Sequence, residues 1–198
     1  MNKSVLIAAA IIGYLYYRFI HDGTVETYSS VSNKVYKVQN TQDRQRKADI
    51  LAMVHAKLEK IVNALSKDNR YNSQPNVQRL LKHWDRGISI KEIGNMESDA
   101  AYVINKQFMS FCLKNNSNTV EYNNLITYVG IHELSHIMSV ETGHNNEFKN
   151  NFKFLLNYAK NLEWVDPITQ LKGPLYIELS KLNTPDSYCG VLISNSMN

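Results

Sequence analysis

His132-Glu133-Leu134-Ser135-His136 sets two imidazoles four residues apart with a carboxylate directly after the first. On an α-helix, residues at i and i+4 stand one turn apart on the same face, so both rings can reach a single tetrahedral Zn²⁺. Glu133 is then displaced toward the open coordination position, where it can act as general base toward a zinc-bound water. The chemistry that this pattern supports is hydrolysis of a peptide bond by the activated water. A catalytic zinc usually takes three protein ligands and a water. His144 is the expected third, because it follows Thr142-Gly143 and a glycine can take the positive φ that ends a helix and turns the chain back on the metal. Glu147 and Glu163, carboxylates further along the chain, are the alternatives.

Such a constellation needs a helix beneath it and other elements against that helix. Leu125, Tyr128, Val129, Ile131, Leu134, Ile137 and Met138 predict an almost wholly buried helix over Leu125 to Ser139, with Asn123 or Asn124 as its N-cap. Phe148, Phe152, Leu155, Leu156 and Ala159 predict a second helix that packs across it. Upstream, Ala48, Leu51, Val54, Leu58, Ile61, Val62 and Leu65 recur at three and four, which predicts a long amphipathic helix from Thr41 to about Lys67. Pro75 at a first-turn position, followed by Val77, Leu80, Leu81 and Trp84, predicts a shorter helix that ends before Gly87. Ile88 to Ile93 reads as a strand, and Ala101 to Leu113 as a hairpin around the polar pair Asn105-Lys106. His55 and His83 read as structural histidines. The carboxy-terminal third is a loop-rich closing segment with a strand-like stretch from Tyr188 to Ile193. Tyr188 reads as core packing in preference to an oxyanion-stabilising hydroxyl, and Cys189 as a buried thiol.

A chain of 198 residues holds one ordinary domain and an appendage. With 43% hydrophobic and 20% charged residues it is neither collagenous nor disordered, and its net charge of +4 without a run of like charges leaves a nucleic-acid partner open but gives it no support. Two cysteines, Cys112 and Cys189, are too few for a disulfide scaffold and leave the redox compartment open. The sequon at Asn115 is a short pattern of little weight. Val5 to Tyr17 lacks polar side chains apart from tyrosine hydroxyls, which predicts an uncleaved transmembrane anchor over residues 1–22, with Tyr14, Tyr16 and Tyr17 at the interface and Arg18 snorkelling. A polar tether over 23–40 and a catalytic domain over 41–198 complete the expected organisation, that of a single-pass membrane protein.

His132-Glu133-Leu134-Ser135-His136, then Gly143-His144, then Glu147-Phe148 resembles the WLM/SprT-like zinc metallopeptidases, and within them the versions encoded by large double-stranded DNA viruses. Asn105-Lys106, Cys112-Leu113, Asn124-Leu125 and Tyr188-Cys189-Gly190 add to that likeness, which covers about half of the chain, from Ile88 to Ser196. The metzincin pattern does not fit, since Thr142 stands where its third histidine would and Ser139 where its glycine would. The resemblance implies His132, His136 and His144 as zinc ligands and Glu133 as general base. It implies a minimal zincin-like α+β fold, here with an N-terminal transmembrane helix. It also implies that Ala101 to Leu113 gives an edge strand for an extended peptide. The expected partners are a protein or peptide substrate, a virion or host-cell membrane through the N-terminal helix, and other virion proteins. Two other readings stand beside the membrane-anchored peptidase. One is a non-catalytic structural protein of a virion or membrane assembly that retains the fold. The other is a protease of DNA-associated proteins, for which Arg44, Arg46 and Lys47 give only a small basic cluster.

Overall fold

The computed structural model describes residues 3–21, 23–94, 101–113, 119–183, 187–189 and 191–193. The sequon at Asn115 and the loop around it lie outside them. A helix α1 (Lys3–His21) is followed by strands β1 (Thr24–Tyr28) and β2 (Val35–Gln39). Two helices come next, α2 (Arg44–Lys67) and α3 (Pro75–Asp85), then strands β3 (Ser89–Glu92), β4 (Ala101–Ile104) and β5 (Phe108–Phe111). Helices α4 (Val120–Met138) and α5 (Asn146–Lys160) carry the histidine region, and short strands β6 (Glu163–Val165), β7 (Lys172–Pro174), β8 (Ser187–Tyr188) and β9 (Val191–Leu192) close the chain.

The sheet has five strands in the order β1-β2-β3-β5-β4. β2, β3 and β5 run parallel, with Lys37 opposite Lys91 and Ile90 opposite Met109, while the outer strands β1 and β4 are antiparallel to their neighbours. Val38, Ile90, Met109 and Phe111 from the sheet and Leu51, Leu58, Ile61 and Leu65 from α2 are buried in one core, which continues through Leu125, Ile126, Ile131, Leu134 and Ile137 of α4. At Gly130, α4 packs directly against α2. A Cβ there would meet Val54 Cγ1 at 3.1 Å and Leu58 Cδ1 at 3.3 Å, so the absence of a side chain lets the two helices pack with little between them.

Three expectations are corrected. The segment 23–40 is no tether: β1 and β2 form a hairpin in which Tyr36 and Val38 face the core while Val35 and Lys37 face out. Asp49 on α2 clamps its turn, accepting from Ser29 Oγ at 2.8 Å, Ser30 N at 2.7 Å and Ser30 Oγ at 2.9 Å. The second correction concerns the membrane. In α1 the uncharged stretch from Ser4 to Tyr17 is 14 residues between Lys3 and Arg18. It rises only about 21 Å against a hydrocarbon core of about 30 Å. Among the described residues no helix is long and apolar enough to cross a membrane, so neither a transmembrane helix as part of the fold nor a single-pass location stands. The architecture is a mixed α/β one of helices and sheets. The third correction is covalent: Cys189 is not a thiol but is disulfide-bonded to Cys112, 77 residues away in sequence.

Candidate metal centre

α4 starts at Val120, ahead of the expected Leu125, because Thr119 and not Asn123 or Asn124 is its N-cap, with its side chain accepting from Tyr122 N at 3.2 Å. Asn124 instead ties α4 to the closing segment: its Nδ2 donates to Ile177 O at 2.7 Å and its Oδ1 accepts from Ile177 N at 2.8 Å. Near the other end of α4, the rings of His132 and His136 lie 5.0 Å apart between centroids. The helix stops at Ser139, which is extended, and Gly143 at φ +88° reverses the chain. Asn145 then caps α5 by accepting from Phe148 N at 2.9 Å. His144 is carried back by this turn to 4.9 Å from the His132 ring and 5.0 Å from that of His136.

The three imidazoles can hold a metal ion. One nitrogen from each lies within 4.8 Å of the other two, and Nε2 of His132 and Nε2 of His144 are 3.0 Å apart. Two nitrogens on one tetrahedral zinc with bonds of 2.0–2.1 Å stand about 3.3 Å apart, so the rings are already near ligand spacing. Phe148 forms the floor, with its ring 4.8, 4.3 and 4.7 Å from those of His132, His136 and His144. Burial pushes His132 down to about 3 and His136 down to about 4, with further depression by the neighbouring imidazoles and, for His136, by Lys106. Both rings are therefore neutral at physiological pH, the form in which a histidine ligates.

Glu133 is 3% exposed, and its Oε2 has no hydrogen-bond partner among the described residues. Burial alone raises its pKa to about 8. Beside these rings the ionised form of Glu133 is costly by itself, and a divalent cation at the histidine cluster is the charge that would offset it. The donor set and this orphaned oxygen thus fit a metal ion. His132, Glu133, His136 and His144 line a cleft of about 610 Å³ whose far wall is the β4 edge and the turn at Asn105-Lys106.

Glu147 and Glu163 are occupied elsewhere. Glu147 accepts from Val140 N at 3.0 Å and from Arg79 Nη1 at 3.2 Å, and the same guanidinium donates to Met138 O at 2.5 Å. The Arg79–Glu147 pair therefore locks α3, the end of α4 and the start of α5 around the turn that carries His144. Asn151 adds to the lock by donating to Ser139 Oγ at 3.0 Å while accepting from Asn76 Nδ2 at 2.9 Å. Glu163 stands on β6 and pairs with Lys172 of β7, 3.6 Å from its ammonium. Tyr188 is buried, and its hydroxyl donates to Cys112 O at 2.6 Å, which places it in the core beside the disulfide. His55 is structural, with Nδ1 3.0 Å from Tyr36 OH and its ring edge-on to Trp84. Of the basic cluster, Lys47 is buried against Glu92 at 2.8 Å and Arg46 pairs with Asp43 at 3.1 Å. Sequence reasoning missed Lys106 and the Arg79–Glu147 lock, since neither has a local signature. Phe148 was visible as an apolar helix position and as part of the resemblance, but not as the floor under the three rings.

The chain is similar to viral proteins. It is 22% identical, over its whole length and 96% of the relative, to an uncharacterized protein of Acanthamoeba polyphaga mimivirus. A second relative, an uncharacterized protein of Invertebrate iridescent virus 6, is 35% identical over 79 residues, which cover 38% of this chain and 44% of that one. No protein-family pattern matches the chain, and no solved structure matches it.

Proposed function

We propose that the chain is a zinc-dependent peptidase of the WLM/SprT-like kind, in which His132, His136 and His144 hold the ion and Glu133 is the general base. The observation that carries this reading is the pairing of a three-imidazole cluster with a buried carboxyl group whose Oε2 has no partner among the described residues. Zinc is inferred from the donor set: three imidazole nitrogens, with no further protein ligand among the described residues, suit a tetrahedral ion with one open position. When bound, the ion supplies Lewis acidity, lowering the pKa of a water and polarising the peptide carbonyl.

The chain's own residues do the rest. Phe148 and the Arg79–Glu147 lock hold the three rings in place. Glu133 Oε2 accepts the proton of the attacking water as its oxygen bonds to the carbonyl carbon. Glu133 then returns that proton to the leaving nitrogen as the C–N bond breaks, so water is consumed and one carboxylate and one amine are formed. An extended substrate lies along β4, since that strand is an outer edge of the sheet and lines the cleft.

The test is cleavage of a mixed peptide library by the full chain as purified, after chelation, and after re-addition of zinc. Cleavage that is lost and regained with zinc supports the reading, and cleavage indifferent to chelation overturns it.

A further inference from the structure

The turn between β4 and β5 is made by Asn105 at φ 50° and Lys106 at φ 56°, with Gln107 N donating to Ile104 O at 3.0 Å. Two successive left-handed residues are what a tight hairpin of this hand requires, and asparagine followed by glycine is its low-strain solution. Asparagine is present, but the second place, where glycine is free of strain, holds a lysine. A side chain kept there against a backbone preference of about 1–2 kcal/mol points to use of that side chain.

Lys106 reaches across the cleft. Its ammonium donates to Ser139 O and, at 3.3 Å, to Val140 O, the carbonyls where α4 ends and the His144 turn begins. A helix C-terminus attracts a cation, so these carbonyls fix the position of the charge without cancelling it. Among the described residues no carboxylate lies within ion-pair distance of this ammonium, although Glu141 lines the same cleft, and the charges that act on it are the opposing ones of Arg79 and Glu147, themselves paired. Lys106 lines the same cleft as His132, Glu133 and His136, and its charge is felt at His136. A fixed, unneutralised ammonium beside the reacting centre is a docking point for an anion.

We propose that Lys106 makes this cleft select peptides that carry a carboxylate next to the scissile bond. The proposal rests on the peptidase reading. That carboxylate comes either from an aspartate or glutamate side chain or from the substrate's own C-terminus.

The experiment pairs peptides that differ only in Glu against Gln on either side of the cleaved bond, each as free acid and as C-terminal amide, with the zinc-loaded full chain. The ratio of kcat/KM for carboxylate over neutral peptide is compared in wild type, Lys106→Arg and Lys106→Gly. Glycine suits the backbone at this position, so Lys106→Gly tests the side chain without straining the turn. Affinity of the same peptides for Glu133→Gln protein, read by fluorescence anisotropy, gives a readout without turnover.

The expected result is a wild-type preference of roughly fivefold or more, kept in Lys106→Arg, falling to near one in Lys106→Gly and shrinking as salt is raised. Preference that survives amidation assigns the carboxylate to a side chain, and preference lost on amidation assigns it to the terminus. Equal ratios in wild type and Lys106→Gly, or a wild-type preference for neutral peptides, would overturn the proposal while leaving the peptidase reading intact. If no peptide is cleaved, the peptidase reading fails, and the anisotropy series alone decides whether Lys106 selects the anion.

Discussion

Removing the Cys112–Cys189 bond is the perturbation whose size follows most directly from the fold. It closes a loop of 77 residues, from the end of β5 to the β8–β9 hairpin. In the chain-entropy treatment a loop of that length restricts the unfolded state by about 4.5 kcal/mol at 25 °C. For a chain of 198 residues, where each kcal/mol moves the midpoint by about 2–4 °C, the double variant Cys112→Ala/Cys189→Ala should melt roughly 9–18 °C lower. The buried side of the bond is also anchored by the Tyr188 hydroxyl on Cys112 O, so part of the closing segment should stay docked after the bond is lost. The assay is urea and thermal unfolding of wild type, reduced wild type and the double variant, with thiol titration of the native protein. The His cluster does not depend on this bond, because its lock runs through Arg79, Glu147 and Asn151. Metal stoichiometry should therefore be the same in all three. Coincident unfolding midpoints, or two titratable thiols in the unreduced native protein, would refute the reasoning.

Other outcomes follow from the same geometry. His144→Ala should abolish tight metal binding, Glu163→Ala should leave it unchanged, and Glu147→Ala should weaken it by about 10- to 100-fold by loosening the turn, all read by competition with a chromophoric chelator. Gly130→Leu forces a side chain into the contact with Val54 and Leu58 and should cost about 1–3 kcal/mol in urea unfolding. Lys57, whose ammonium sits between Thr127 Oγ1 at 3.2 Å and the Trp164 ring at 5.6 Å, is pushed down to about 8 by burial. Below pH 8 it is charged in both states and the folded state bears the whole desolvation cost. Between pH 8 and its ordinary value near 10.5 the unfolded chain holds more protons, so stability contributed by this group rises with pH. Lys57→Met should accordingly be more stable than wild type at pH 7, with the gap closing as pH is raised through 10; a gap that does not change with pH would count against this account.

Much of the site was legible because its signals are local. His132, Glu133 and His136 are fixed by helical spacing, and His144 by the glycine before it, so the cluster needed no long-range information. The helices α2 and α3 and the β4–β5 hairpin followed from periodicity, a first-turn proline and a polar break. What failed was non-local or short. β2 alternates over only Val35 to Gln39, too few residues beside the polar turn before it to stand out as a strand. Pairing of Cys112 with Cys189 spans a separation that spacing cannot encode. The apolar run of α1 reaches a bilayer's thickness only if snorkelling of Arg18 extends it, and the 14 uncharged residues between Lys3 and Arg18 are too few. Arg79, Glu147 and Lys106 come from three different elements, and only folding brings their charges to the two sides of one turn.

The central claim is that the histidine cluster and Glu133 form a hydrolytic centre. Its most direct test sets the zinc content and peptide cleavage of wild type beside Glu133→Gln, which keeps the shape of the side chain and removes the base. The account predicts one zinc per chain in both proteins and cleavage by wild type alone. One zinc in each with no cleavage by either, or equal cleavage by both, would contradict it.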